Sequence, residues 1–177
     1  MQRHISCPSV MDTVVVDFES ALNHALQCLG CPTLTLKPEQ RESVRHVYEG
    51  KDVFVWLPTG FGKSLCYEML PFVMDVKRGR DDSVVIVVSP LVSLMVDQAR
   101  KLRKRGVEAA IMSTTAACGM ECRSLLATEE DLSKSKLLFC APEALLHGRW
   151  REALEQPKLS CRIVAVVIDE AHCVSKR

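Results

Sequence analysis

Leu57-Pro58-Thr59-Gly60-Phe61-Gly62-Lys63-Ser64 is the stretch on which the fold turns. Two glycines one residue apart let a backbone curl until its N–H groups point inward, and a lysine and a hydroxyl follow at once. The apolar run Asp52–Leu57 precedes it and reads as a short buried strand. Lys63–Val76 follows and reads as a helix kinked at Pro71. Strand, curled loop, helix is the arrangement that gathers donors and a helix N-terminus around a polyphosphate. Lys63 would pair with the phosphates as a point charge, and Ser64 would offer its hydroxyl to Mg²⁺. The first glycine of the strict pattern is Leu57 here, and a plain glycine-rich turn before a helix is the competing reading.

On the N-terminal side, residues 1–16 lack a clear period. Asp17 is positioned to cap a first helix whose apolar face is Phe18, Leu22, Ala25, Leu26 and Leu29, closed by Gly30. Pro38 suits the first turn of a second helix, with Val44, Val47 and Tyr48 as its stripe and Gly50 at its end. On the C-terminal side, strands are expected at Ser83–Ser89, Val107–Met112, Lys136–Cys140 and Arg162–Ile168. Helices are expected at Leu91–Arg105, Gly119–Ala127, Pro142–Leu146 and Trp150–Leu154. Strands apolar on both faces and alternating with helices imply an α/β fold, a parallel sheet covered on both sides. Ligands of such sheets bind beyond the carboxyl ends of the strands.

Asp169-Glu170-Ala171-His172 falls at such an end, directly after the apolar run Arg162–Ile168. One carboxylate there can hold the waters around Mg²⁺, and the next can orient or deprotonate an attacking water. Alone the pair would also fit a solvated strand edge. Combined with the phosphate loop, it marks Lys63, Asp169 and Glu170 as the catalytic candidates.

Composition limits the alternatives. The chain has 177 residues, 47% hydrophobic and 25% charged, which suits one globular domain. A net charge of +1 supplies no global field for nucleic acid, so any such contact must be local. The N-terminus has no signal-peptide core and no apolar run approaches a membrane span, so an intracellular protein with reduced thiols and no membrane partner is expected. Cys28, Cys31, Cys118 and Cys122 could supply four zinc ligands or be free thiols, while Cys66, Cys140 and Cys161 lie in apolar runs and read as core. Arg100–Arg105 holds five basic residues in six, a solvated helix face or a phosphate contact.

Leu57–Tyr67 (LPTGFGKSLCY), Ser89–Gln98 (SPLVSLMVDQ) and Asp169–Ser175 (DEAHCVS) together resemble the RecQ family of DNA helicases. The resemblance implies a RecA-like sheet of the phosphate-loop NTPase type. Residues 1–35 would be a lead-in and helix, and residues 36–177 the first RecA-like ATP-binding domain, cut short after the Asp-Glu-Ala-His motif. It implies ATP and Mg²⁺, single-stranded or forked DNA, 3′–5′ unwinding, a second RecA-like domain as partner, and a nuclear setting in DNA repair and recombination. ATP would lie on Lys37, Gln40 and the loop Pro58, Thr59, Gly60, Phe61, Gly62, Lys63 and Ser64, with Gln40 on the adenine edge and Mg²⁺ at Ser64 and Asp169. Ser89, Pro90, Ser93, Gln98, Pro142 and Glu143 would lie along DNA, and His172 would relay nucleotide state. The residues alone also allow Gln40 as an exposed helix residue, Ser89 and Ser93 as turn and cap residues, and His172 as structural. Thr33–Leu36 lacks the aromatic residue the family places before this segment. Two other functions fit the motifs: an ATP-binding regulatory module without hydrolysis, and an RNA helicase core.

Overall fold

The computed structural model describes residues 17–113, 124–146 and 149–170. Four strands form one fully parallel sheet in the order β2-β3-β1-β4, with β1 Val84–Val88, β2 Ala109–Met112, β3 Leu137–Cys140 and β4 Ile163–Ile168. Each lies inside the strand expected from the apolar runs. Burial of every residue of β1, β2 and β3 explains why those runs show no alternation.

The period of two divides the core. Val85, Val87, Ile111, Leu137 and Phe139 face a layer made by α1 Phe18–Cys28, α2 Pro38–Tyr48, α3 Lys63–Arg78 and α4 Val92–Lys104. Val84, Ile86, Val88, Met112, Leu138 and Cys140 face Trp150 and Leu159 on the other side. That second layer comes from α5 Glu129–Lys134, α6 Pro142–Leu146, α7 Arg149–Glu155 and α8 Pro157–Ser160. Fully burying a side chain such as Phe139 contributes about 1.5–3 kcal/mol. The α/β architecture with helices on both faces is therefore as expected.

Local chemistry sets the helix ends. Pro38 opens α2, whose first turn is closed by the Gln40 Oε1 accepting the Lys37 backbone N–H at 3.0 Å. Asp17 precedes α1 in extended backbone, but its side chain makes no capping bond. Glu19 on α1 pairs with Arg41 and Arg45 on α2. Helix α3 runs sixteen residues through Pro71 to Gly79.

Three expectations fail. Asp52–Leu57 has no regular secondary structure and belongs to no sheet. Val53, Val55 and Leu57 are half-buried, in a cleft shared with Glu39, Ser43 and His46 of α2, while Phe54 and Trp56 stand 78% and 87% exposed. An apolar segment becomes a strand only where a neighbour completes its hydrogen bonds, and none pairs with it among the described residues. Leu126 forms a parallel bridge to Ile111 rather than part of a helix over Gly119–Ala127, of which 119–123 lie outside the described residues. Cys161 is exposed because it sits in the turn between α8 and β4, before the strand begins. Cys66 and Cys140 are buried as read, and burial pushes their thiols up to about 11 and about 12. Cys118 and Cys122 fall outside the described residues. No helix among those described is long and apolar enough to cross a membrane.

Candidate nucleotide site

The loop between Leu57 and α3 is held by its glycines. Gly60 has φ 80° and Gly62 φ 88°, left-handed values that an L-residue adopts at a cost, and Gly62 then delivers the chain into the first turn of α3. The Phe61 N–H donates to the Pro58 carbonyl at 3.2 Å, closing the turn. Lys63 begins the helix and folds back over the loop, its Nζ donating to the carbonyls of Leu57 at 2.9 Å and Pro58 at 3.2 Å. The ammonium thus lies on the loop, and Ser64 follows it in the first helical turn.

The adjoining elements bind to this loop. Gln40 is 5% exposed, and its Nε2 donates to the carbonyls of Phe61 and Gly62, each at 3.1 Å. Lys37 lays its Nζ 3.7 Å from the Phe61 ring centroid and donates to the Phe61 carbonyl at 3.4 Å. Gln40 is therefore a buried tie between α2 and the loop, which excludes the exposed-residue reading.

Asp169 leaves β4 at the carboxyl end of the sheet, its N–H donating to the Val88 carbonyl at 2.8 Å. Burial pushes its carboxyl above the ordinary carboxylate range. The Glu170 charge acts the same way, while the Glu170 N–H, the Gln98 amide and Lys63 oppose it. Helix α3, which Lys63 begins, packs against β4, which Asp169 leaves, so the two motifs lie on neighbouring elements. Glu170 has φ 55°, the one positive φ at a non-glycine among the described residues, so the turn that separates the two carboxylates is strained. Its N–H donates to Asp169 Oδ1 at 3.1 Å.

Behind the site the Tyr67 hydroxyl donates to Gln98 Oε1, both side chains buried. Burial raises the Tyr67 phenol well above its ordinary value. The Asp169 and Glu68 charges add to that, and the Ser64 hydroxyl and Gln98 amide moderate it. Neither residue was assigned to the nucleotide site from sequence. The signal was faint: a tyrosine three residues after Ser64 on a helix face that is otherwise apolar.

The residues expected along DNA divide into two sets. Pro90, Ser93, Pro142 and Glu143 reach the surface. Ser89 and Gln98 do not: Ser89 is 1% exposed with a buried hydroxyl that has no hydrogen-bond partner among the described residues, and Gln98 is 9% exposed against Tyr67. In the basic run, Arg103 donates to the carbonyls of Ala109 and Ser124, and Arg105 pairs with Glu68 at 3.3 Å, so two of its five cations face the protein. Ala171 and His172 lie outside the described residues.

A glycine loop with its lysine, and a carboxylate pair at the end of a parallel strand, are the parts of a nucleotide-binding domain, and a DEAD/DEAH box helicase profile matches residues 37–177. The chain belongs to that family. Among its relatives, the ATP-dependent helicase SGS1 of Saccharomyces cerevisiae is 36% identical over 140 residues, 78% of this chain and 9% of that protein. The probable ATP-dependent DNA helicase RecS of Bacillus subtilis is 35% identical over 142 residues, 80% and 26% respectively. The ATP-dependent DNA helicase Q5 of Rattus norvegicus is 36% identical over 140 residues, 78% and 14%. These relatives are RecQ-family helicases, as the sequence motifs imply. The chain spans about a quarter or less of their length.

Proposed function

We propose that this domain binds Mg-ATP and supplies one wall of the ATPase site of a RecQ-like 3′–5′ DNA helicase, unwinding DNA together with a second RecA-like domain. The observation that carries the reading is a glycine loop with Lys63 folded over it and Ser64 in the first turn of α3, a helix that packs against the strand ending at Asp169 and Glu170. Lys63 exchanges the carbonyls of Leu57 and Pro58 for phosphate oxygens, a stronger charge-assisted contact. Glu170 orients the attacking water and accepts its proton on the side-chain carboxylate.

A hydroxyl at Ser64 and a carboxylate at Asp169 form an all-oxygen donor set, which fits Mg²⁺. That ion, when bound, neutralises charge on the β- and γ-phosphates. Adenine recognition by Gln40 takes a definite form. Both Nε2 hydrogens are engaged by Phe61 and Gly62, and one lone pair of Oε1 by Lys37. The remaining lone pair can accept from the adenine N6 amino group but not from the O6 of guanine.

Pro90, Ser93, Pro142 and Glu143 are the surface residues for a DNA backbone, His172 is the candidate relay, and a nuclear role in repair or recombination follows from the same reading. The test is ATPase activity titrated with single-stranded DNA and with RNA. Stimulation by DNA supports the reading, stimulation by RNA alone favours an RNA helicase core, and tight ATP binding without turnover under either polymer favours a regulatory module.

A further inference from the structure

Ser89 follows β1 with its backbone satisfied and its side chain not. Its N–H donates to the Cys140 carbonyl of β3 at 2.9 Å. The residue is 1% exposed, and among the described residues its buried hydroxyl has no hydrogen-bond partner. A hydroxyl withdrawn from water without a partner destabilises the fold that holds it, and native structures keep few of them.

The register of the sheet shows what stands beside this hydroxyl. Strands β1 and β4 run parallel with Val87 opposite Val167 and Val88 opposite Ile168. The Asp169 N–H donates to the Val88 carbonyl at 2.8 Å, so the ladder continues one step and sets Asp169 opposite Ser89. Opposed residues on neighbouring strands are about 4.8 Å apart and share a face. Alternation identifies that face: Val85 and Val87 on β1, and Ala165 and Val167 on β4, join the core under α1, α2, α3 and α4. Ser89 and Asp169 therefore turn toward the same layer, which includes α3 with Ser64 in its first turn.

A donor and an acceptor thus stand side by side without bonding. Asp169 Oδ1 accepts the Glu170 N–H at 3.1 Å, and a carboxylate has about four acceptor sites in all. A serine hydroxyl is re-aimed by a change of rotamer, with no movement of the sheet. We propose that Ser89 is a positioning residue for Asp169: its hydroxyl, idle in the empty domain, donates to the Asp169 carboxylate when that carboxylate joins the water shell of Mg²⁺, and so fixes its orientation. The inference rests on the Mg-ATP reading above. It also replaces the role the resemblance implies, since a hydroxyl with no exposed surface cannot meet a DNA backbone, whereas Ser93 is exposed.

The experiment is calorimetric titration of ATP into the chain, in magnesium chloride and again in EDTA, for the wild type, Ser89→Ala and Ser89→Cys, with a melting curve of each protein free of nucleotide. Ser89→Ala deletes the hydroxyl, and Ser89→Cys keeps the volume with only a weak donor. Both variants should lose about tenfold in affinity in magnesium and nothing in EDTA, as when the hydrogen-bond partner of a metal-binding carboxylate is removed. Without nucleotide, Ser89→Ala should melt about 2–4 °C above the wild type, because an unpartnered buried hydroxyl is gone. A serine with a purely structural role would not give opposite signs in the two readings. Affinity unchanged in magnesium, or reduced equally in EDTA, would overturn the proposal. So would a Ser89→Cys protein that binds like the wild type, since volume and not the donor would then matter. A Ser89→Ala protein that melts lower without nucleotide would show the hydroxyl already engaged, and overturns it as well. A wild type that binds no ATP, or binds it without regard to magnesium, removes the underlying reading instead, so the two failures are distinct.

Discussion

A Cβ built on Gly62 would lie 2.6 Å from the Nε2 of Gln40, closer than real Cβ contacts come. The clash falls on the end of a flexible side chain, which by itself could move. Here it cannot move freely, because the same nitrogen holds the carbonyls of Phe61 and Gly62. Gly62→Ala therefore meets two costs: about 1–2 kcal/mol for a left-handed alanine at φ 88°, and the loss of the Gln40 tie. Gln40→Ala removes the second term beforehand. In urea unfolding the two changes should be less than additive, by about 0.5–2 kcal/mol. Strict additivity would show that Gln40 does not brace the loop.

Lys63→Ala should weaken Mg-ATP binding by roughly 1.5–3 kcal/mol, the worth of a hydrogen bond to a charged group. The unliganded fold should hardly change, because the carbonyls of Leu57 and Pro58 that Lys63 now serves lie on a solvent-facing loop. Calorimetry and a thermal melt on the same sample separate the two effects. An unchanged affinity would remove Lys63 from the phosphates.

At the opposite end of the sheet, Lys136 pairs with the buried Asp75 at 2.6 Å and with the exposed Asp81 at 2.6 Å, while Asp75 Oδ1 accepts the Ser83 N–H at 2.8 Å. Lys136→Met leaves Asp75 buried without its cation, at a cost of about 3 kcal/mol. Adding Asp75→Asn should restore part of that, since a neutral amide needs no counter-charge. Chemical denaturation of the single and double variants checks this, and a double variant no more stable than Lys136→Met contradicts it.

The chain has two tryptophans, and they occupy opposite environments. Trp56 is 87% exposed, whereas Trp150 is 4% exposed and donates through its indole N–H to the Ser113 carbonyl at 3.1 Å. Acrylamide should quench native fluorescence in two components, and Trp56→Phe should abolish the accessible one with a stability change within about 0.5 kcal/mol. A buried strand over Asp52–Leu57 would predict instead a shielded Trp56 and a large loss of stability.

That contrast shows what the sequence could and could not disclose. The phosphate loop was legible because its geometry is local: two glycines, a lysine and a hydroxyl within one turn, followed by a helix. The sheet was legible because Val84–Val88 and Leu137–Cys140 are apolar at every position, which only a strand covered on both faces requires. Apolar content at Val53–Leu57 carries no information about a neighbouring strand, and the expected pairing does not form there. Helix α5 has one apolar residue, Leu132, among five polar ones and so no apolar period to mark it, although Thr128 caps it by accepting the Asp131 N–H at 3.2 Å. Gln98, expected along DNA from the resemblance, is instead buried against Tyr67, a partner remote in sequence that only the folded chain brings beside it.

Glu170 supplies the last test, because its backbone and its side chain pull in opposite directions. At φ 55° it occupies the left-handed region, where an L-residue is strained by roughly 1–2 kcal/mol and glycine is not. Glycine also gains freedom in the unfolded chain, which returns part of that advantage, roughly 0.4–1 kcal/mol. Glu170→Gly should therefore stabilise the domain by about 0.5–1 kcal/mol and raise its Tm by a few degrees, while removing the carboxylate that acts on water. Glu170→Gln keeps the strained backbone, so its Tm should stay near that of the wild type while turnover falls just as far. Both variants should still bind Mg-ATP, since the phosphates are held by the loop and Lys63. The measurement is a melting curve beside an ATPase assay and an ATP titration for the three proteins. A glycine variant that melts lower than the glutamine variant would show that Glu170 earns its conformation through contacts rather than tolerating strain for its carboxylate. Loss of ATP binding in both would move Glu170 from the water to the nucleotide.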